Sequence, residues 1–106
     1  MGYECAFVFT SPLDSPQVAR LFHHLQTSHP WLLVQAEQPG GSGLLRYAYA
    51  ASGPLSWEED FLLEVSSQKV YVLLHTATGD PKANVLTWLQ QGIAILGLTG
   101  TLDEEL

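Results

Sequence analysis

An uninterrupted apolar run from Val70 to Leu74 constrains the fold more than any other stretch of this sequence. Valine and tyrosine favour extended structure, and a run without polar residues is typical of a strand that is covered on both faces. The polar residues 66–69 separate this run from the segment before it. We therefore predict a buried strand at the centre of a sheet, which other strands must flank and helices must cover.

The segment before that polar break has the sequence pattern of a helix start. Ser56 and Glu59 have the spacing of a capping box, and acidic residues lie where exposed helical amides favour carboxylates. Large apolar residues recur there at a spacing of four, on one helical face: Trp57, Phe61 and Val65. We predict a helix over 56–65. The alternative is a strand from Asp60 to Val65 that pairs with the apolar run, but it leaves the capping box without a role.

The N-terminal third predicts a strand and then an amphipathic helix. Residues 3–10 are rich in aromatic and β-branched side chains, and a Ser-Pro turn follows them. Ser15 is a suitable N-cap, because Pro16 then occupies the first helical position, where its missing amide hydrogen is not needed. Apolar residues recur at i, i+3, i+4 and i+7: Val18, Leu21, Phe22 and Leu25. The helix must end near Ser28, since Pro30 restricts the residue before it.

Two further strands are predicted at 31–37 and 44–51. The turn-rich residues 38–43 between them favour an antiparallel hairpin. Alternation along the strand predicted at 44–51 places Tyr47 on its buried face and Arg46 on its less buried face.

A last helix is predicted from Pro81 to at least Gln91, because an aspartate and a proline again form a helix start. Two positions for the C-terminal end of this helix fit the sequence. Gly92 ends the helix and 93–98 forms an edge strand, or the helix continues and ends at Gly97.

The resulting order is β-α-β-β-α-β with an additional C-terminal helix. This order predicts a small single domain of the α+β class, with a ferredoxin-like split βαβ arrangement. In that arrangement two helices cover one face of an antiparallel four-stranded sheet. We predict that the domain covers 1–100 and that 101–106 is an acidic C-terminal tail.

The charge balance excludes several classes of partner. The chain has 106 residues, with 11 acidic side chains against four Lys and Arg, and its formal net charge is −7. The four cations are scattered, so we predict no direct binding to nucleic acid and none to anionic membranes. The sequence has no apolar run long enough to span a bilayer and no basic signal-peptide region, so we predict a cytoplasmic location.

Few side chains in the sequence suggest catalysis. Cys5 is the only cysteine and lies in an apolar run, so we predict a buried structural thiol in a reducing compartment. His23 and His24 are neighbours on a helix, point about 100° apart and cannot bind one metal ion together. Nucleophile and phosphate-loop motifs are absent from the sequence. We predict no enzymatic activity, no cofactor and no metal site.

The leading functional hypothesis concerns the acidic residues of the predicted helix over 56–65. Four carboxylates would lie beside an aromatic anchor, and together they form the predicted partner-binding site: Trp57, Glu58, Glu59, Asp60 and Glu64. In its size, its charge and its lack of catalytic motifs, the chain resembles small immunity proteins, antitoxins and phage-encoded inhibitors. This resemblance implies a non-enzymatic protein that neutralises or regulates a basic partner, such as a toxin or a nuclease.

The second hypothesis is a small-ligand-binding regulatory domain that forms a homodimer through its sheet edges. His75 and Thr76 follow the central strand and precede the last helix, and strand ends beside helix starts often bind small ligands. Thr10 ends the first strand and would lie nearby if the two strands are neighbours. The predicted pocket therefore contains Thr10, His75 and Thr76.

Overall fold

The computed structural model of the protein describes residues 2–38, 42–48, 60–75 and 80–104. Within these ranges the chain forms six strands and two helices, numbered in chain order. They are β1 Tyr3–Phe9, α1 Ser15–Thr27, β2 Leu32–Glu37, β3 Ser42–Ala48, β4 Phe61–Ser66, β5 Lys69–Leu74, α2 Asp80–Ile95 and β6 Gly100–Asp103. Neither of the two helices in these ranges is long and apolar enough to cross a membrane.

The strands form one sheet in the order β2-β3-β4-β5-β1-β6, and every neighbouring pair is antiparallel. The predicted α+β class and antiparallel sheet are confirmed. The sheet has six strands where four were predicted. A ferredoxin-like arrangement is not confirmed, because a strand occupies 61–66, where that connectivity requires a helix.

The helix predicted over 56–65 is wrong for the residues from Phe61 onward, and the alternative strand is confirmed. β4 pairs with β3 on one side and with β5 on the other. A spacing of four between Phe61 and Val65 fits a helix, but it also fits a strand, because four is a multiple of two. Leu63, midway between them, is fully buried as they are, which is the strand period. The capping-box residues Ser56 and Glu59 lie outside the described residues.

β5 is the predicted central strand, and it lies between β4 and β1. Its three residues on one face are fully buried: Val70, Val72 and Leu74. On the other face Tyr71 and Leu73 are only half-buried. The predicted burial on both faces therefore holds fully for one face and partly for the other.

α1 begins one residue earlier than predicted, because its N-cap is Asp14 and not Ser15. The Asp14 carboxylate accepts a hydrogen bond from the backbone N–H of Gln17 at 2.8 Å. The Gln17 side-chain oxygen accepts one from the backbone N–H of Asp14 at 2.9 Å. This reciprocal pair is a capping box. The predicted end of the helix is confirmed, with Ser28 as the C-cap.

The longer of the two predicted ends of α2 is confirmed. The helix continues to Ile95, and Gly97 follows in the left-handed region with a φ of 75°. The alternative edge strand over 93–98 is therefore wrong. After the turn, β6 pairs with β1 at the edge of the sheet, so the predicted boundary between domain and tail at residue 100 lies inside a strand.

Both helices pack on the same face of the sheet. Tyr47 of β3 donates a hydrogen bond from its hydroxyl to the Leu25 carbonyl of α1 at 2.6 Å. Its ring also contacts Trp88 of α2, with ring centroids 5.7 Å apart. The indole N–H of Trp88 in turn donates to the Ser28 carbonyl at 2.6 Å. The opposite face of the sheet therefore carries neither helix.

Candidate functional site

Side chains on the sheet face opposite the helices form rows that run across the strands, and two of these rows contain carboxylates. The first row spans all six strands and contains, from β2 to β6, Glu37, Leu44, Glu64, Tyr71, Ala6 and Asp103. The second row spans five strands and contains Gln35, Arg46, Leu62, Leu73 and Glu4. These two rows together are called the open face. Successive side chains along a strand point to opposite faces of the sheet. The residues next to those of the open face therefore point into the helix-covered core.

The open face combines exposed carboxylates with half-buried apolar side chains. Its four carboxylates are exposed, and they belong to Glu4, Glu37, Glu64 and Asp103. Its larger apolar side chains are half-buried, and they belong to Leu44, Leu62, Tyr71 and Leu73. Adjacent strands lie about 4.8 Å apart, so Glu37 and Glu64 flank Leu44 with about 10 Å between their strands. The apolar groups therefore lie among the negative charges.

A hydrogen bond joins the two rows. The hydroxyl of Tyr71 in β5 donates to Oε2 of Glu4 in β1 at 2.6 Å. This bond to a carboxylate is the main reason that the pKa of Tyr71 is raised to about 12, since it favours the protonated phenol. The bond holds one end of the open face in a fixed arrangement.

A shallow cavity of about 300 Å³ lies on the open face beside the first row. Its wall includes two acidic residues, Glu37 and Glu64, together with Leu44, Tyr71 and Lys69. Carboxylates accept hydrogen bonds from ammonium or guanidinium groups, and the apolar groups can contact the methylenes of a long basic side chain. This arrangement is suited to recognition of a basic surface.

The structure separates the acidic residues that were predicted to share one helical face. Glu64 is exposed on the open face, whereas Asp60 lies just before β4 and is half-buried. Four residues span about 13 Å along extended chain, compared with about 6 Å along a helix. Trp57, Glu58 and Glu59 lie outside the described residues. Of the predicted partner-binding site, the structure therefore places only Glu64 on the open face.

The structure does not bring Thr10 and His75 together. β1 and β5 are neighbours, as the prediction required, but they are antiparallel. Thr10 follows β1 at one end of the pair, and His75 follows β5 at the other, about 25 Å away. Thr76 lies outside the described residues. The pocket on which the ligand-binding hypothesis depended is therefore not formed by these two residues.

The sequence interpretation missed the neighbour that His75 does have. The backbone N–H of His75 donates to the Asp60 carbonyl at 3.0 Å, which makes the two residues a cross-strand pair beyond the ends of β4 and β5. Assigning 56–65 to a helix hid this pair. The alternative strand from Asp60 to Val65, paired with the apolar run, predicts this pair when the pairing is extended by one residue.

The remaining reactive side chains are arranged as structural groups. Cys5 is fully buried, which confirms its predicted burial, and burial raises the pKa of its thiol above the usual value. His23 is exposed and His24 half-buried on α1. Among residues 2–38, 42–48, 60–75 and 80–104, the structure contains no group of three His, Cys, Asp or Glu side chains that could hold a metal ion.

Several aromatic residues form a cluster between the helices and the sheet. Tyr47 stacks on Phe61 with ring centroids 4.7 Å apart, and both rings are fully buried. Trp31 contacts Phe61 at 5.1 Å and Trp88 at 4.9 Å, edge to face in both pairs. Trp31 and Trp88 are half-buried. The cluster serves the core, and its two tryptophans also reach the surface.

Comparison of the chain with protein-family models, with curated proteins and with solved structures found no significant match. The geometry and charge of the open face therefore carry the functional proposal.

Proposed function

We propose that this protein is a non-enzymatic binding protein that neutralises or regulates a basic partner protein through the open face. The observation that carries the proposal is the row of exposed carboxylates of Glu37, Glu64 and Asp103, interleaved with apolar side chains on a sheet face that carries neither helix. Interfaces of this kind combine a desolvated apolar centre with charges that select the partner.

The size of the open face favours a protein partner. Six strands spaced about 4.8 Å apart, each about six residues long, give a surface of about 24 Å by 20 Å. This area of about 480 Å² is more than half of the roughly 800 Å² that a typical specific interface buries on each partner. A small molecule would cover only a fraction of it.

The charge of the protein favours a basic partner. The open face has four carboxylates, opposed by Arg46 within it and Lys69 beside it. The chain as a whole has a formal net charge of −7, so its long-range field attracts cations and repels anions. The two basic groups among the carboxylates provide a pattern that a partner must match, which gives specificity in addition to attraction.

The test uses two double variants that change the net charge equally. In the first, Glu37→Lys with Glu64→Lys, two carboxylates of the open face are reversed. In the second, Glu58→Lys with Glu59→Lys, two carboxylates of the partner-binding site predicted from the sequence are reversed. Proteins captured from the native cells by the wild type are identified, and the purified partner is titrated against all three proteins by calorimetry.

We expect the open-face variant to bind the partner at least tenfold more weakly, and the other variant to bind within about threefold of the wild type. Wild-type affinity should fall as sodium chloride rises, because exposed charge pairs are screened. Equal affinities for all three proteins, or an affinity independent of salt, would falsify the proposal. Circular dichroism of each variant verifies that it is folded.

A further inference from the structure

The solvent side of α1 has a local charge opposite to that of the whole protein. Arg20, His23, His24 and Thr27 lie at i, i+3, i+4 and i+7, so they share one helical face. The chain has only four Lys and Arg and four His in total, and this short surface contains three of these eight residues. Nitrogen donors are therefore concentrated here on a protein with a formal net charge of −7.

These side chains line a groove between α1 and the end of α2. The groove has a volume of about 390 Å³ and is widely open to solvent, and Ala19 and Leu96 complete its wall. Arg20 and Leu96 also line an adjoining hollow with Gln17 and Leu98. The residues of α1 that line the groove run from Ala19 to Thr27, over which the helix rises about 12 Å. Its surface combines an apolar floor with a rim of nitrogen donors.

Both sides of the groove are fixed by the fold. At the turn after α2, the backbone N–H of Gly97 donates to the Ala94 carbonyl at 2.9 Å, and that of Leu98 donates to the Ile93 carbonyl at 3.1 Å. These bonds hold Leu96 in place. On the other side, a Cβ added at Gly92 would lie 3.1 Å from the ring of His24, so the two helices approach closely there. The fold therefore sets the positions of Leu96 and His24 in the groove.

The donors on the rim have no acidic partner among the residues that the structure describes. Arg20 is always charged and carries five N–H donors, and an imidazole carries at least one in either protonation state. The Thr27 hydroxyl is different, since it donates to the His23 carbonyl at 2.8 Å. Arg20, His23 and His24 are thus the groups able to hold an anion.

We propose that this groove binds an amphipathic monocarboxylate, a small organic acid with an apolar body. The planar guanidinium of Arg20 matches a carboxylate with two parallel hydrogen bonds, and an imidazole N–H of His23 or His24 adds a third. The apolar body covers Ala19 and Leu96, whose floor offers nothing to a polyanion such as inorganic phosphate. The site is on the helical side of the protein, opposite the open face.

Nuclear magnetic resonance titration of the ¹⁵N-labelled protein with sodium phenylacetate tests this proposal. Phenylacetamide lacks the charge and acetate lacks the apolar body, so each serves as a matched probe at constant ionic strength. We expect phenylacetate to shift the backbone amides of 17–27 and 96–98 with a Kd on the order of 1 mM, as befits a shallow site. Both control compounds should bind at least tenfold more weakly.

Two variants locate the binding group. Arg20→Gln removes the exposed guanidinium and should weaken phenylacetate binding at least tenfold. Lys82→Gln removes a cation that lies over the Tyr3 ring, 4.0 Å from its centroid, and should leave binding unchanged. The proposal is overturned by the absence of saturable shifts at about 20 mM phenylacetate, by equal binding of phenylacetamide, or by retained binding in Arg20→Gln.

Discussion

Tyr47 shows how much one side chain contributes to this fold. Its ring is fully buried and stacked on Phe61, and its hydroxyl donates to the Leu25 carbonyl at 2.6 Å near the end of α1. One residue thus fastens the sheet to a helix through both apolar contact and a hydrogen bond. A hydroxyl placed in this way is costly to ionise, because burial disfavours the phenolate and raises the pKa of Tyr47.

We predict that the free energy of unfolding decreases in alkaline solution. The pKa of Tyr47 is raised by burial, and that of Tyr71 is raised to about 12 by its bond to Glu4, whereas unfolded tyrosine titrates at about 10. The folded state therefore holds these protons more tightly than the unfolded state does. The resulting stability is fully present below about pH 10 and is lost as the pH rises through about 12.

Urea denaturation between pH 8 and about pH 11, followed by tryptophan fluorescence, measures this effect. Tyr47→Phe is the matched variant, since it keeps the ring and removes the ionisable group. At neutral pH it should be about 1 kcal/mol less stable, because a buried hydrogen bond is lost. Its stability should then decline less steeply above pH 10 than that of the wild type. Parallel declines would contradict the assignment to Tyr47.

At the scale of elements, the contact of α1 with β3 depends on a glycine. Phe22 of α1 lies directly over Gly43, and a Cβ at that position would overlap two carbons of the Phe22 ring. Both residues are buried. The phenyl ring thus fills the space that a missing side chain leaves on the strand, as aromatic residues do over other sheet glycines.

We predict that Gly43→Ala lowers the free energy of unfolding by about 1 to 3 kcal/mol, because the added methyl group forces Phe22 and α1 away from the sheet. In a Phe22→Ala background the same change should cost at least about 1 kcal/mol less, since the space is then free. Urea denaturation of the four proteins gives the double-mutant cycle. Additive losses would show that the two residues do not conflict.

A helix or strand was predictable where the spacing of apolar residues fitted either the helical period or the strand period, but not both. α1 has four apolar residues at i, i+3, i+4 and i+7, a pattern that no strand satisfies, and it was found almost to the residue. Residues 61–65 were assigned wrongly, because the spacing of Phe61 and Val65 fits both periods and a capping-box pattern nearby favoured the helix. β6 was missed, since its four residues Gly100–Asp103 have no pattern of their own and depend on the free edge of β1.

The candidate site was harder to predict than the elements. Alternation in β3 correctly placed Arg46 on the less buried face, but it could not say which strands lie beside it. The direction of β1 relative to β5 is not encoded in either strand, so Thr10 and His75 were wrongly expected to be close. The open face arises from the register of six strands, and only the fold sets that register.

At the scale of the whole molecule, the net charge of −7 opposes the compact state. Salt screens repulsion between exposed charges that are about 10 Å or more apart. Within the open face, Glu37 and Glu64 are about 10 Å apart by strand spacing, so their repulsion is of this screened kind.

We predict that raising sodium chloride from about 10 mM to about 200 mM increases the Tm by about 3 °C, because screening relieves self-repulsion. Thermal denaturation followed by circular dichroism measures the shift. Replacing two carboxylates, Glu37→Gln with Glu64→Gln, should raise the Tm at low salt and reduce the gain from salt. A Tm that falls as salt is added would mean that attractive charge pairs outweigh the repulsion.

The place of β1 in the sheet has a consequence for biosynthesis. β1 leaves the ribosome before the other five strands described, yet its neighbours are β5 and β6, which are made about 60 and 90 residues later. The strands from β2 to β4 can pair in a nascent chain while the apolar run Cys5–Phe9 still lacks partners on both sides. During that interval the exposed apolar segment can bind chaperones. The sheet is completed only after Asp103 has been synthesised.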